Sequence, residues 1–232
     1  PQSINWMPYS NLLYYTKTGS QGRELLTIDP ETHQEEVLAV NLPDGWFSFS
    51  PTEDYLIFTV QEKGDAEPAD LRRILNPEDR QPGWRNRVFL HAYDLQTGLL
   101  QRLTFGYRST YLQDISADGR YVLISSRVSD LTVRPFSTTD LFQMDLQTGK
   151  VDTIFSEEPF IGSVRFSPDA TQLLVSGSGE AFGGIGQDIA DGQTSNMSDT
   201  QLFLYDPNTQ HGQSLTKAFN PSVGRFVWNA FD

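Results

Sequence analysis

The serine hydrolase nucleophile sits on a Gly-x-Ser-x-Gly turn between a strand and a helix, and no serine in these 232 residues has glycine two positions away on both sides. The nearest approach, SGSGE at 176–180, has Ser176 and Glu180 around Ser178 where the glycines belong, and it reads as a flexible strand end. His33, His91 and His211 each fall in or beside a turn or strand of the repeat described below, with no local pattern setting one against a serine and a carboxylate. Asp188, Asp191, Asn196 and Asp199 make an oxygen-rich run, but their spacing does not match a calcium loop with its closing glutamate, and a solvated polar loop is the better reading. FGGIG at 182–186 lacks both the lysine of a phosphate-binding loop and the three-glycine dinucleotide spacing, so it reads as a loop that needs close backbone approach. No residue is assigned to catalysis, to a metal or to a cofactor.

Composition narrows the partners. Seventeen basic against thirty acidic residues give a formal charge of −13, which repels a phosphate backbone and argues against nucleic acid. No run approaches the roughly 18 apolar residues of a membrane span, and the first residues, PQSINWMPYS, lack the regions of a secretory signal. Without cysteine there is no disulfide framework and no thiolate chemistry.

The elements that must position any site are short runs of Tyr, Phe, Val, Leu and Ile punctuated by Asp-Gly, Thr-Gly, Asn-Pro and Ser-Pro. These are strands and tight turns, and the only helical expectation is a turn or two over Pro68 to Leu75. An opening phrase recurs as FSPTEDYLIFTV, ISADGRYVLISSR and FSPDATQLLVSGS. It alternates with a second phrase, from LLTIDPETHQEEVL at Leu25 and LHAYDLQTGLLQRLT at Leu90 to LFQMDLQTGKVDTI at Leu141 and LFLYDPNTQHGQSLT at Leu202. Pro8, Pro51, Ala117 and Pro168 mark the same position in each period, with spacings of 43, 66 and 51 residues. The shortest matches the roughly 40 to 45 residues of a propeller blade. In each hairpin, Asp118 with Gly119, and Asp94 with Gly98, supply the turn. A lone four-stranded sheet cannot bury both faces, so the predicted fold is all-β, a β-propeller of four-stranded blades.

The whole of 1–232 reads as one partial propeller domain with blades opening near residues 6, 49, 115, 166 and 226. Because both ends enter the repeat at the same phase, about four blades are expected, cut as an open part of a larger propeller. Two polar insertions, 61–87 and 179–199, interrupt the repeat and read as lids or disordered excursions.

The repeat with FSPDA and YDLQTG, the stretch LRRILNPEDRQPGWRNR, the phrase VRPFSTTDLFQMDLQTG, and EAFGGIG followed by FNPSVGRFVWN resemble the propeller half of exported serine peptidases of the prolyl oligopeptidase family, dipeptidyl peptidase IV-like branch. The likeness covers nearly the whole chain, although the short repeat alone is shared with TolB-like propellers. It implies a noncatalytic propeller that gates peptide substrates for a separate C-terminal α/β-hydrolase domain of the same parent protein. It also implies an exported or periplasmic setting and a possible homodimer of the parent. A freestanding TolB-like protein-binding module is the alternative.

In that branch a pair of propeller glutamates binds the substrate's free ammonium, whose three donors suit two carboxylates. Glu157 and Glu158, in FSEEPF, are the candidate substrate-binding pair. They fall where an ordinary interblade loop is expected, without the aromatic-rich helical setting of that motif, so a solvated acidic turn is the plain alternative. Arg72, Arg73, Arg80, Arg85 and Arg87 could contact a substrate carboxylate or the partner domain, and pairing with Asp70, Glu78 and Asp79 accounts for them equally.

Overall fold

Apolar and β-branched runs between turn residues become strands in the computed structural model, which describes residues 4–20, 22–65, 74, 83, 85–190, 192–219 and 222–228. The chain divides into two compact units, Pro1–Tyr111 and Leu112–Asp232. The first unit holds β1 (Asn5–Trp6), β2 (Leu13–Gly19), β3 (Gly22–Ile28) and β4 (Glu35–Ala39), followed by β5 (Trp46–Phe49), β6 (Tyr55–Glu62), β7 (Arg87–Asp94) and β8 (Leu100–Arg102). The second holds β9 (Thr110–Ile115, whose start overlaps the boundary), β10 (Tyr121–Ser129), β11 (Ser137–Asp145) and β12 (Val151–Glu158). It continues with β13 (Ile161–Phe166), β14 (Leu173–Ser178), the short segment α1 (Ala181–Gly184), β15 (Thr200–Asp206) and β16 (His211–Ser214). Consecutive strands pair antiparallel into four four-stranded sheets, β1–β4, β5–β8, β9–β12 and β13–β16, none closed on itself. These are the four predicted blades.

Each core is made by pairing sheets inside a unit. In the first, Leu25 and Ala39 of one sheet pack with Phe49, Leu56, Phe58 and Tyr93 of the next. In the second, Leu123, Leu141 and Ile154 pack with Val164, Phe166, Val175, Phe203 and Tyr205. The edge strand β13 is paired on one side only, by β14. Two of its backbone donors are met by side chains from β9: Val164 N–H donates to Gln113 Oε1 at 3.1 Å and Phe166 N–H to Asp114 Oδ2 at 2.8 Å. An edge strand's exposed donors are thereby occupied.

The two phrases fold into two recurring turns. Ser50, Ser116 and Ser167 are buried, and each accepts the backbone N–H of the residue five on (Tyr55, Tyr121 and Gln172) at 3.3, 2.8 and 2.9 Å. The residue three after each serine takes a positive φ: Glu53 at 60°, Gly119 at 71° and Ala170 at 56°. Of the expected Asp118–Gly119 pair, Gly119 alone is left-handed; Asp118 instead accepts the Ser116 hydroxyl and the Arg120 N–H. In the second phrase, the Oδ1 atoms of Asp29, Asp94, Asp145 and Asp206 accept the N–H of Thr32, Thr97, Thr148 and Thr209. The next residue is left-handed every time: His33 (57°), Gly98 (71°), Gly149 (71°) and Gln210 (53°).

Most of the 61–87 insertion, including the Pro68–Leu75 helical expectation and Arg72, Arg73 and Arg80, lies outside the described residues. The 179–199 insertion is anchored at its start, where Ala181 is fully buried and Phe182 and Ile185 pack on the second core. Arg225–Trp228, expected to open another blade, form no strand, and 229–232 lie outside the described residues.

Two substitutions test these turns. Ser116→Ala leaves the Tyr121 N–H without its side-chain acceptor and should lower unfolding free energy in urea by about 1–2 kcal/mol. The exposed Ser129→Ala should change it by less than about 0.5 kcal/mol. Gly149→Ala meets no atom within 4 Å, so its loss of about 1–2 kcal/mol should be conformational, and Gly149→Asn should recover part of it.

Candidate functional site

Side chains alternate along a strand, so Phe155 and Glu158, three apart, should point to opposite faces of β12. A bulge reverses this. Phe155 pairs with Leu141 and Glu158 with Thr139, so three residues of β12 span two of β11, and the two side chains share a face. Glu157 takes the strain of the extra residue with a φ of 55°, and its N–H donates to Asp140 Oδ1 at 2.8 Å. Glu157 and Glu158 thus close a strand, where the sequence placed them in a loop.

The segment after β14 supplies the other wall. Phe182, Gly183 and Gly184 all have positive φ, which turns the chain back over the sheet. The Phe182 N–H donates to Glu158 Oε1 at 2.7 Å. Its ring stacks on Tyr205, with centroids 5.2 Å apart and planes at 23°, and meets Phe155 edge-on at 5.8 Å. Tyr205 in turn donates its hydroxyl to the Ile154 carbonyl at 3.3 Å. These groups, with Ile185 and His211, line a cavity of about 580 Å³.

Burial pushes the Glu158 carboxyl above its ordinary value, opposed by the single Phe182 hydrogen bond. Burial, with the Glu158 charge adding to it, also pushes the Tyr205 hydroxyl up. Among the described residues no Lys, Arg or His forms an ion pair with Glu158. A half-buried carboxylate without a counter-cation, beside three aromatic rings, is suited to an ammonium or guanidinium group on an apolar stem.

The structure brings only one of the expected glutamates to the cavity. Glu158 lines it, while Glu157 is solvent-exposed and does not. His211 lines it as well, whereas His33 sits in the β3–β4 turn and His91 on β7, where burial pushes its imidazole down. Ser178 is buried, its Oγ accepting the Glu180 N–H at 3.1 Å. Arg85 and Arg87 spend donors on backbone carbonyls, those of Asp65 for the first and of Asn86 and Tyr107 for the second. Among the described residues no group of three or more acidic or histidine side chains is placed to hold a metal, and Asp191 of the predicted run lies outside them. Phe155, Phe182 and Tyr205 were not singled out in the sequence; the Gly-Gly following Phe182 was the available signal of a left-handed turn.

The raised Glu158 carboxyl fixes the sign of a pH effect. Over the window from about 4.3, the unfolded value, up to its folded value, the native state binds more protons, so this group's contribution lowers stability as pH rises. Glu158→Gln keeps an acceptor for Phe182 and removes the charge. Its melting temperature should exceed the wild type's at pH 8, and the gap should close as pH falls to 4; a wild type that is the more stable at pH 8 contradicts the assignment.

Neither a protein-family model nor any curated protein matches the sequence. Among solved structures, the chain is similar to TolB from Acinetobacter baumannii, at 18% identity and a TM-score of 0.51 over 92% of this chain and 42% of that one. It is similar to the acylaminoacyl peptidase of Pyrococcus horikoshii, at 10% identity and a TM-score of 0.61 over 97% of this chain and 33% of that one. The β-propeller domain of the Trilobed protease from Pyrococcus furiosus aligns at 10% identity and a TM-score of 0.55, over 97% and 60% respectively. The chain therefore spans less than two thirds of the length of each of these structures. At these identities the likeness is one of fold, and the fold they share with this chain is the four-stranded-blade β-propeller.

Proposed function

We infer that this chain is a noncatalytic binding part of a larger propeller, one that screens peptide substrates for a serine peptidase whose α/β-hydrolase domain lies outside this sequence. The cavity around Glu158 carries the reading. Its carboxylate and aromatic walls fit the free amino end of a peptide, the ammonium on the carboxylate and the first side chain against Phe155 and Phe182. The propeller fold and the lack of a Gly-x-Ser-x-Gly turn in the sequence agree with a binding role. Glu158 acts alone in this reading, because Glu157 points to solvent. Export of the parent and its dimerisation belong to the same proposal through the family resemblance; no helix among the described residues is long and apolar enough to cross a membrane.

Calorimetric titration with alanyl-alanine and with its N-acetylated form tests the site. The free dipeptide should bind, acetylation should weaken binding about tenfold or more, and Glu158→Gln should abolish the difference while Glu157→Gln leaves it unchanged. Equal binding of both forms removes the ammonium assignment. Chromogenic aminoacyl-proline and alanyl-alanine substrates should not turn over, and activity that survives repurification would overturn the noncatalytic reading. A chain that binds neither dipeptide favours the freestanding protein-binding module.

A further inference from the structure

A second cavity, of about 1360 Å³, lies wholly within the first unit and has the opposite electrostatic character. Arg23, at the start of β3, reaches over the β4–β5 connection. Its Nη1 donates to the carbonyls of Pro43 at 3.2 Å and Gly45 at 2.8 Å, and its guanidinium lies 5.4 Å from the Phe47 ring centre. Gly45 is required there: its φ is 133°, and a Cβ would stand 2.5 Å from the Thr59 carbonyl oxygen. The side chain is thus oriented before any ligand arrives. Its Nε–H is shielded from solvent and has no acceptor among the described residues.

Among the described residues no carboxylate forms an ion pair with this cation. Neither Arg23 nor Lys17, which lines the same cavity, forms an ion pair among the described residues, although Asp44 also lines it. Glu24 is Lys17's partner across the β2–β3 ladder, yet its carboxyl lies over Gly19. Two cations that form no ion pair among the described residues are unexpected in a chain of charge −13. Trp46, on the edge strand β5, lines the same cavity and is 86% exposed, a large aromatic surface.

We propose that this groove binds a carboxylate carried on an aromatic group, with Arg23 as the anion receptor, Lys17 as a second cation at the rim and Trp46 as the stacking surface. With Nη1 held by two backbone carbonyls and Nε–H shielded, the guanidinium keeps its charge and its Nη2 donors for a carboxylate, and it loses little further freedom on binding. A bare tryptophan face offers an aromatic ring an offset or edge-on contact. The inference does not rest on the ammonium reading of the Glu158 cavity: it concerns the other unit and a ligand charge of the opposite sign, and its failure leaves the dipeptide titrations unaffected.

The test is calorimetric titration of the 232-residue chain with N-acetyl-phenylalanine and, separately, its primary amide. The acid should bind about tenfold or more tightly than the amide, the difference reflecting one charge-assisted pair. Arg23→Gln should erase that preference, and Arg23→Lys, which keeps a charge without the planar group anchored on the Pro43 and Gly45 carbonyls, should retain only part of it. Lys17→Gln and Trp46→Ala change exposed side chains and leave the Arg23 anchor intact; each should weaken the acid severalfold without lowering the melting temperature. Equal affinity for acid and amide, no saturable heat from the acid at about 10 mM, or an acid affinity untouched by both exposed substitutions overturns the proposal.

Discussion

The structure depends on one packing constraint: a four-stranded sheet with apolar side chains on both faces is stable only when another sheet covers it. Within the first unit that cover is Leu25 and Ala39 against Phe49, Leu56 and Phe58; within the second it is Leu123 and Leu141 against Val164, Val175 and Phe203. Each large side chain buried this way contributes about 1.5–3 kcal/mol relative to exposure, more than an exposed ion pair supplies. Face-to-face packing leaves strand edges to be dealt with separately. Gln113 and Asp114 do so for β13, so the sheets are joined by hydrogen bonds at an edge as well as by apolar contact at their faces.

Because the cores settle the sheets, the turns are free to be short and repetitive, and the connections are free to vary. The buried serine and the Asp-Thr pair close successive hairpins with the same bonds each time, although the residue left in the left-handed conformation is glycine in only some of them. A non-glycine residue there costs about 1–2 kcal/mol. Glu53 shows one offset: its carboxylate accepts the backbone N–H groups of Tyr9 and Ser10, at 2.6 and 2.8 Å, a local gain that glycine could not supply.

This division also explains what could be read from the sequence. Blade number, strand pairing and the second turn, with Asp94 bonding forward and Gly98 left-handed, were legible because they repeat; the first turn was read on Asp118–Gly119, and its buried serine acceptor was not. Glu158 was visible as a residue and not as a site. Its direction is set by one extra residue in β12, a feature with no sequence marker, and its aromatic surroundings come from Phe182 and Tyr205, far apart in the chain until the fold joins them. Arg23 was invisible for a related reason: in sequence it is one polar residue in an exposed strand start, and its meaning comes from Pro43 and Gly45 on the following connection.

The two cavities, though of opposite charge, are built on one principle. In each, a charged side chain is anchored by backbone groups of a residue with positive φ, Phe182 N–H for Glu158 and Gly45 carbonyl for Arg23, and in each an aromatic ring covers the anchor. The left-handed conformation turns a peptide group out of the regular ladder, so a backbone donor or acceptor becomes available to a side chain. At Gly45 this is sterically free. At Phe182 it carries the cost for a residue with a Cβ, and the ring contacts with Tyr205 and Phe155, each about 0.5–1.5 kcal/mol, are of the size needed to offset it. The conformation that closes the hairpins thus also orients charge at the cavities, and a repeat protein can acquire a binding site by placing such a residue in a connection its cores do not constrain.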